Sequence, residues 1–230
     1  MPQNPFIEAT IVQTYAENPQ PRCPSLLLLD VSASMAGQPL QELQEALAGY
    51  RDSLFADSLA KQRVEVAVMT FGGSVDYVAP FATVDLFTTP TLTATSDTPM
   101  GRAIVEGLQN LDAQKAVYRQ NGIAFYRPWV FLITDGAPTD KTTHYWSQAK
   151  QMIKEGLEKR SFLFFAVGVQ GADMDCLREL CPNPEPLKLR GLEFKKLFAW
   201  LSSSQQAVSR SQPGETLALP APTGWAEITA

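Results

Sequence analysis

Histidine occurs once in this chain, at His144, and cysteine three times, at Cys23, Cys176 and Cys181. That scarcity leaves little with which to build a zinc centre. The Cys-x4-Cys spacing of Cys176 and Cys181 stands isolated, and the single imidazole lies far from it in sequence. An odd number of thiols without a secretion signal reads as reduced cysteines in a cytoplasm. No G-x-S-x-G motif is present, so His144 has no serine nucleophile to activate and reads as a surface residue. Long apolar runs are missing too: none approaches the ~18 residues that a bilayer crossing needs. The opening MPQNPFIEAT has neither the basic start nor the apolar core of a signal peptide. Positive charge is in short supply, with 19 Lys and Arg against 24 Asp and Glu for a net charge of -5. That balance argues against a general affinity for nucleic acid or for an anionic membrane surface. The basic cluster of Lys188, Arg190, Lys195 and Lys196 reads as a solvated face.

What is present is an ordinary globular composition, 45% hydrophobic and 19% charged over 230 residues, enough for one sizeable α/β domain. Strand-like and helix-like periods alternate from about residue 25 to 205. Ser25 to Leu29 is an apolar run that reads as a strand buried on both faces. Leu40, Leu43, Leu47, Tyr50 and Leu54 mark a helix, with Pro39 in its first turn. Val64 to Phe71 is a second strand. Gly72-Gly73 then allows only a tight turn into Ser74 to Phe81, which must run antiparallel. Residues 82–99 form a long Thr- and Pro-rich connection. Helices follow at Met100 to Leu111 and Trp146 to Leu157, with strands at Trp129 to Thr134 and Phe162 to Val169. A short helix at Met174 to Leu180, a brief strand at Leu187 to Leu189 and a helix from Phe194 complete the series.

The expected fold is therefore a doubly wound α/β sheet. It has six mostly parallel strands, one antiparallel edge strand, and helices on both faces. The expected organisation is an N-terminal extension (1–22), the domain (23–209) and a Pro-rich tail (210–230). The strand-like FIEATIVQTY and the tail segments TLALPAP and GWAEIT either pack along the sheet edge or reach a partner. Trp129 and Trp146 read as core residues, while Trp225 is either an anchor for a partner or a side chain folded back on its own domain.

In an open sheet of this kind, ligands bind beyond the carboxyl ends of the strands, where the strand order reverses. The first strand ends in Asp30-Val31-Ser32-Ala33-Ser34 and the fourth in Thr134-Asp135-Gly136. The long connection ends in Asp97-Thr98-Pro99-Met100-Gly101 at the same edge. Asp30 and Asp135 supply charge there, and Ser32, Ser34 and Thr98 supply neutral hydroxyl oxygens. An all-oxygen set suits a hard divalent cation such as Mg²⁺. The bland alternative is that Ser32 and Ser34 simply cap the following helix.

DVSAS, the TPMG of Thr98 to Gly101 and the TDG of Thr134 to Gly136 resemble the three parts of a metal-ion-dependent adhesion site in a von Willebrand factor A domain. Their order and spacing match over roughly residues 23 to 205. The flanks ENPQPRCP and GAPTD resemble the bacterial, tellurite-resistance-linked TerY-like branch. The resemblance implies that Ser32, Ser34 and, in the open state, Thr98 contact the metal directly. Asp30 and Asp135 then act largely through ordered waters or as acceptors behind the direct ligands. The ion it implies is Mg²⁺, with Mn²⁺ or Ca²⁺ as substitutes, its shell expected to be completed by a protein partner's Asp or Glu. The branch implies an adaptor, not an enzyme, whose partners are a protein kinase and a metal-dependent Ser/Thr phosphatase in a stress response. Two positions depart from the family pattern. Ala33 replaces a common glycine at little cost, and Asp97 stands where a small neutral residue is usual and is expected to point outward.

Two rival functions follow from the same residues. A phosphatase of the haloacid dehalogenase type also places an Asp at the end of its first strand near Mg²⁺. It needs a second aspartate two residues on as acid/base, where this chain has Ser32. The Thr-rich connection, with Thr88, Thr89, Thr91, Thr93, Thr95 and Ser96, could instead make the domain a kinase substrate.

Overall fold

The Leu26 to Leu29 run carries no polar face because it serves two cores. It lies within β1 (Cys23–Asp30), which is buried throughout. Leu27 and Leu29 join one hydrophobic layer. Leu26 and Leu28 join the other, as the period of two in an extended chain requires. The computed structural model describes residues 15, 17–215, 218, 221 and 225–227. Residues 6–14 of FIEATIVQTY and most of TLALPAP lie outside them.

Among the described residues the sheet has seven strands in the order β3-β2-β1-β4-β5-β6-β7. β1 is flanked in parallel by β2 (Val64–Gly72) and β4 (Trp129–Thr134). β5 (Leu163–Gly168) and β6 (Leu187–Leu189) continue parallel on the β4 side. β3 (Ser74–Thr83) is the antiparallel edge. Its hairpin turns at Gly73, whose φ of 67° favours glycine. The six-stranded, mostly parallel architecture expected from the sequence is thus present. A two-residue β7 (Ala226–Glu227) extends it, antiparallel to β6.

Helices cover both faces. α1 (Gln38–Phe55) and α6 (Phe194–Ser209) close the layer containing Leu27 and Leu29. α3 (Met100–Gln120), α4 (His144–Glu158) and α5 (Met174–Leu180) close the other. The four-residue α2 (Ala60–Arg63) leads into β2. Trp129 and Trp146 are buried in these layers, and His144 is exposed. Trp225 folds back on its own sheet. Its ring lies 5.6 Å from that of Trp200, and its carbonyl accepts the Arg190 N–H at 2.8 Å. All three cysteines are free and buried. Among the described residues no helix is long and apolar enough to cross a membrane.

At the surface, α4 and α5 are tied through Glu179. Its carboxylate accepts from Lys150 Nζ at 2.8 Å and from Trp146 Nε1 at 3.2 Å, and pairs with Lys141 at 2.9 Å. These donors, Lys150 foremost, hold its pKa at about 2 against the usual 4.5. A carboxyl depressed in this way stabilises the folded state above its unfolded pKa. That contribution is lost as pH falls through the folded value. The tie is therefore complete above about pH 4.5 and gone near pH 2. Thermal melts of Glu179→Gln across that window are expected to fall less steeply with acid than wild-type melts. Parallel curves would show that the tie carries no stability.

Candidate metal centre

The chain leaves β1 toward β2 on one side of the sheet, and leaves β4 toward β5 on the other. The strand order therefore reverses between β1 and β4, opening a crevice at their carboxyl ends. Pairing of Leu29 with Ile133 places Asp30 beside Thr134 and directs Asp135 into the loop beyond. Asp30 is fully buried. One of its oxygens accepts the Ser32 N–H at 2.8 Å, and the other accepts the Thr134 hydroxyl at 2.5 Å. Burial pushes its pKa up and the neighbouring Asp135 adds to this, while the bonds from Ser32 and Thr134 pull it back. A cation in the crevice favours the ionised form and opposes that burial cost.

After Asp30 the backbone stays extended at Ser32, with φ -64° and ψ 169°, and tightens into a 3-10 turn at Ala33–Met35. Neither this turn nor α1 receives a side-chain cap. The helix-capping reading of the two serines therefore fails. Their hydroxyls face each other at 3.1 Å, and Ser34 Oγ donates to Asp135 Oδ1 at 2.7 Å. Ala33 has an ordinary negative φ, so the departure from glycine costs the turn nothing.

The third segment arrives over the β2–β3 turn. The Thr95 N–H donates to the Val31 carbonyl at 2.8 Å, the Gly73 N–H to the Asp97 carbonyl at 2.9 Å, and the Ala33 N–H to the Ser96 carbonyl at 3.1 Å. The approach is close enough that a Cβ on Gly72 would sit 2.7 Å from the Val31 oxygen and strike the Thr95 hydroxyl. Asp97 is exposed, as expected. Thr98 is buried, and its hydroxyl and the Asp30 carboxylate both lie close to Gly136. A Cβ built on Gly136 would lie 3.4 Å from Thr98 Oγ1 and 3.8 Å from Asp30 Oδ2.

The structure thus brings Asp30, Ser32, Ser34, Thr98 and Asp135 to one crevice. Adjacent oxygens around an octahedral Mg²⁺ stand about 3 Å apart. The Ser32–Ser34 and Ser34–Asp135 separations of 3.1 and 2.7 Å fit that spacing. Among the described residues no group of three His, Cys, Asp or Glu could hold a metal. Hydroxyl oxygens must therefore supply much of any site, which favours a hard cation over zinc-type ligation. Sequence reasoning missed three contributors. Thr134 holds Asp30, and Thr139 and Asp140 hold the threonine segment. Their signal was the run TDGAPTD, whose last two residues carry oxygen donors close behind Asp135.

Fold and site together define an open α/β domain with an all-oxygen crevice at its switch point. Residues 26–191 match the family model described as von Willebrand factor type A domain. The chain belongs to that family. No curated protein matches it by sequence. Among solved structures it is similar in fold to a mutant of the PilB minor pilin from Streptococcus sanguinis. That match has a TM-score of 0.60 at 13% identity, covering 83% of this chain and 63% of that one. It is also similar to proximal thread matrix protein 1 from the mussel byssus with a zinc-occupied metal-ion-dependent adhesion motif. There the TM-score is 0.51 at 15% identity, over 81% and 48% of the two chains. Manganese-loaded TRAP protein of Plasmodium vivax gives 0.50 at 22% identity, over 70% and 63%. This chain spans less than two thirds of each of those structures.

Proposed function

We propose that this domain is a metal-dependent protein-interaction module in which Mg²⁺ in the crevice accepts a carboxylate from a partner protein. The observation that carries this reading is asymmetric burial. Asp30, Ser32, Thr98 and Asp135 are buried, whereas Ser34 is exposed. The donors converge from within and leave one side open to solvent. An ion held largely by neutral hydroxyls keeps enough positive charge to gain from one more anionic oxygen. The metal in two structural neighbours, zinc in one and manganese in the other, supports a divalent ion here.

The flanking resemblance to the TerY-like branch supports a finer role. In it the domain is a cytoplasmic adaptor joining a protein kinase and a metal-dependent Ser/Thr phosphatase in a tellurite-type stress response. Binding rather than catalysis is favoured by position 32. A haloacid-dehalogenase-type phosphatase needs a carboxyl there, and the Ser32 hydroxyl instead faces Ser34.

Immobilised protein offered a cell lysate in Mg²⁺ is expected to retain proteins that chelator releases and that Ser34→Ala never captures. Mass spectrometry of the retained fraction tests the kinase and phosphatase assignment. Equal retention in Mg²⁺ and in chelator would overturn the reading.

A further inference from the structure

We infer that Asp140 and Thr139 are positioning residues that set Thr98 in the crevice before any ion binds, an inference that rests on the metal reading above. Thr98 ends a long connection without regular structure, the kind of segment whose ordering costs a ligand affinity. Bonds from the chain itself hold it. Its N–H donates to Thr139 Oγ1 at 3.2 Å, and its carbonyl accepts the Thr139 N–H at 2.9 Å.

The helix that follows needs help at its start. Pro99 stands at the N-cap of α3 and offers no side-chain cap; the Met100 N–H turns back to the Thr98 carbonyl at 2.8 Å, which leaves the Gly101 and Arg102 N–H groups in need of an acceptor. Asp140, distant in sequence, caps them from outside. Its two oxygens accept the Gly101 N–H at 3.0 Å and the Arg102 N–H at 2.8 Å. Asp140 is only 9% exposed, and its carboxylate faces the positive end of the helix dipole. The fit explains the glycine of TPMG. A Cβ on Gly101 would lie 3.1 Å from Asp140 Oδ2 and 3.0 Å from the Trp146 nitrogen. Asp140 is anchored in turn, because its carbonyl accepts the Thr143 N–H at 2.9 Å and the Thr143 hydroxyl at 2.8 Å.

Two bonds from Thr139 and two from Asp140 therefore join the threonine segment to the loop that carries Asp135. The Thr98 hydroxyl and the Asp135 carboxylate are presented as one preassembled unit. Metal binding then avoids much of the cost of ordering a loop, and that saving should appear directly in affinity.

The test pairs amide hydrogen exchange in chelator with Mn²⁺ titration followed by electron paramagnetic resonance. Wild-type protein is expected to protect the Gly101 and Arg102 amides equally with and without Mn²⁺. Asp140→Ala should lose that protection and bind Mn²⁺ roughly tenfold or more weakly. Asp140→Asn, which keeps one acceptor oxygen, should fall between. Thr139→Val is nearly isosteric and keeps its backbone bond to Thr98. It should stay folded in chelator, melting within a few degrees of wild type, yet bind Mn²⁺ several-fold more weakly, so it tests the idea even if Asp140→Ala does not fold. Variants that bind Mn²⁺ as wild type does, or wild-type amides protected only with Mn²⁺, would overturn the inference while leaving the metal site intact. A wild type that binds no Mn²⁺ would remove the metal reading itself.

Discussion

Ser34→Ala is expected to lose at least about 100-fold in affinity for Mg²⁺ or Mn²⁺ while folding normally. The magnitude follows from its place in the crevice. Removing a partner behind a ligand typically costs 10- to 100-fold, so removing a direct ligand should cost no less than the upper end of that range. Ser34 Oγ is the oxygen that touches both halves of the site. It stands 3.1 Å from Ser32 Oγ on its own turn and 2.7 Å from Asp135 Oδ1 across the switch point. Among the described residues no backbone bond holds Asp135 Oδ1 in its stead, so alanine opens the side of the site that faces solvent. Stability should hardly change, because Ser34 is exposed and, among the described residues, its hydroxyl bonds only to other side chains of the crevice, Ser32 and Asp135. Substitutions at such positions usually stay within about 0.5 kcal/mol, roughly 2 °C in a chain of this size. Isothermal titration beside melts in chelator separates the two effects. An unchanged metal isotherm would remove Ser34 from the ligand set, and a large drop in melting temperature would make its role structural.

The parts of this site that could be read in advance are those whose signal is local. Asp30 and Asp135 each close an apolar run, so strand and carboxylate appear together within a few residues. Buried parallel strands carry no polar alternation, which is why β1 and β4 were visible as continuous hydrophobic stretches. Thr139 and Asp140 show in the sequence only as oxygen donors close behind Asp135, and what they do there is hidden for the opposite reason. They act on Thr98, Gly101 and Arg102 through side-chain-to-backbone bonds spanning about forty residues, and such bonds leave no periodic trace in the sequence. Thr134 looked like one more β-branched strand residue. Only its position at the strand end turns its hydroxyl toward Asp30. β7 is too short to show any period, and Trp225 sits in a Pro-rich stretch where burial cannot be inferred from spacing. Its place against Trp200 comes from tertiary packing alone.

Arg22→Ala should be the most destabilising single change at the other end of the sheet, costing about 3–5 kcal/mol and lowering the melting temperature by roughly 10 °C. Arg22 stands immediately before β1, at the end of the strand opposite Asp30, and is fully buried. Its Nε donates to Glu65 Oε1 at 2.8 Å, and its remaining nitrogens donate to the carbonyls of Asn18, at 2.6 Å, and Gln20. Glu65 is almost as buried and also accepts from the Tyr118 hydroxyl and from Gln114 Nε2 at 3.2 Å. Burial raises the Glu65 pKa even with Arg22 and Tyr118 acting against it. Without the guanidinium, a carboxylate is stranded in the interior and two backbone carbonyls lose their donor. A raised carboxyl pKa penalises the folded state above the unfolded pKa and carries no penalty below it. The deficit of Arg22→Ala should therefore be largest near neutral pH and shrink as pH falls toward 4.5. Adding Glu65→Gln should recover part of the loss by removing the stranded charge. A double variant no more stable than Arg22→Ala would mean that the carbonyls, not the ion pair, carry the energy. Folded Arg22→Ala should still bind Mn²⁺ like wild type, since the buried pair and the metal crevice occupy opposite ends of the same strands.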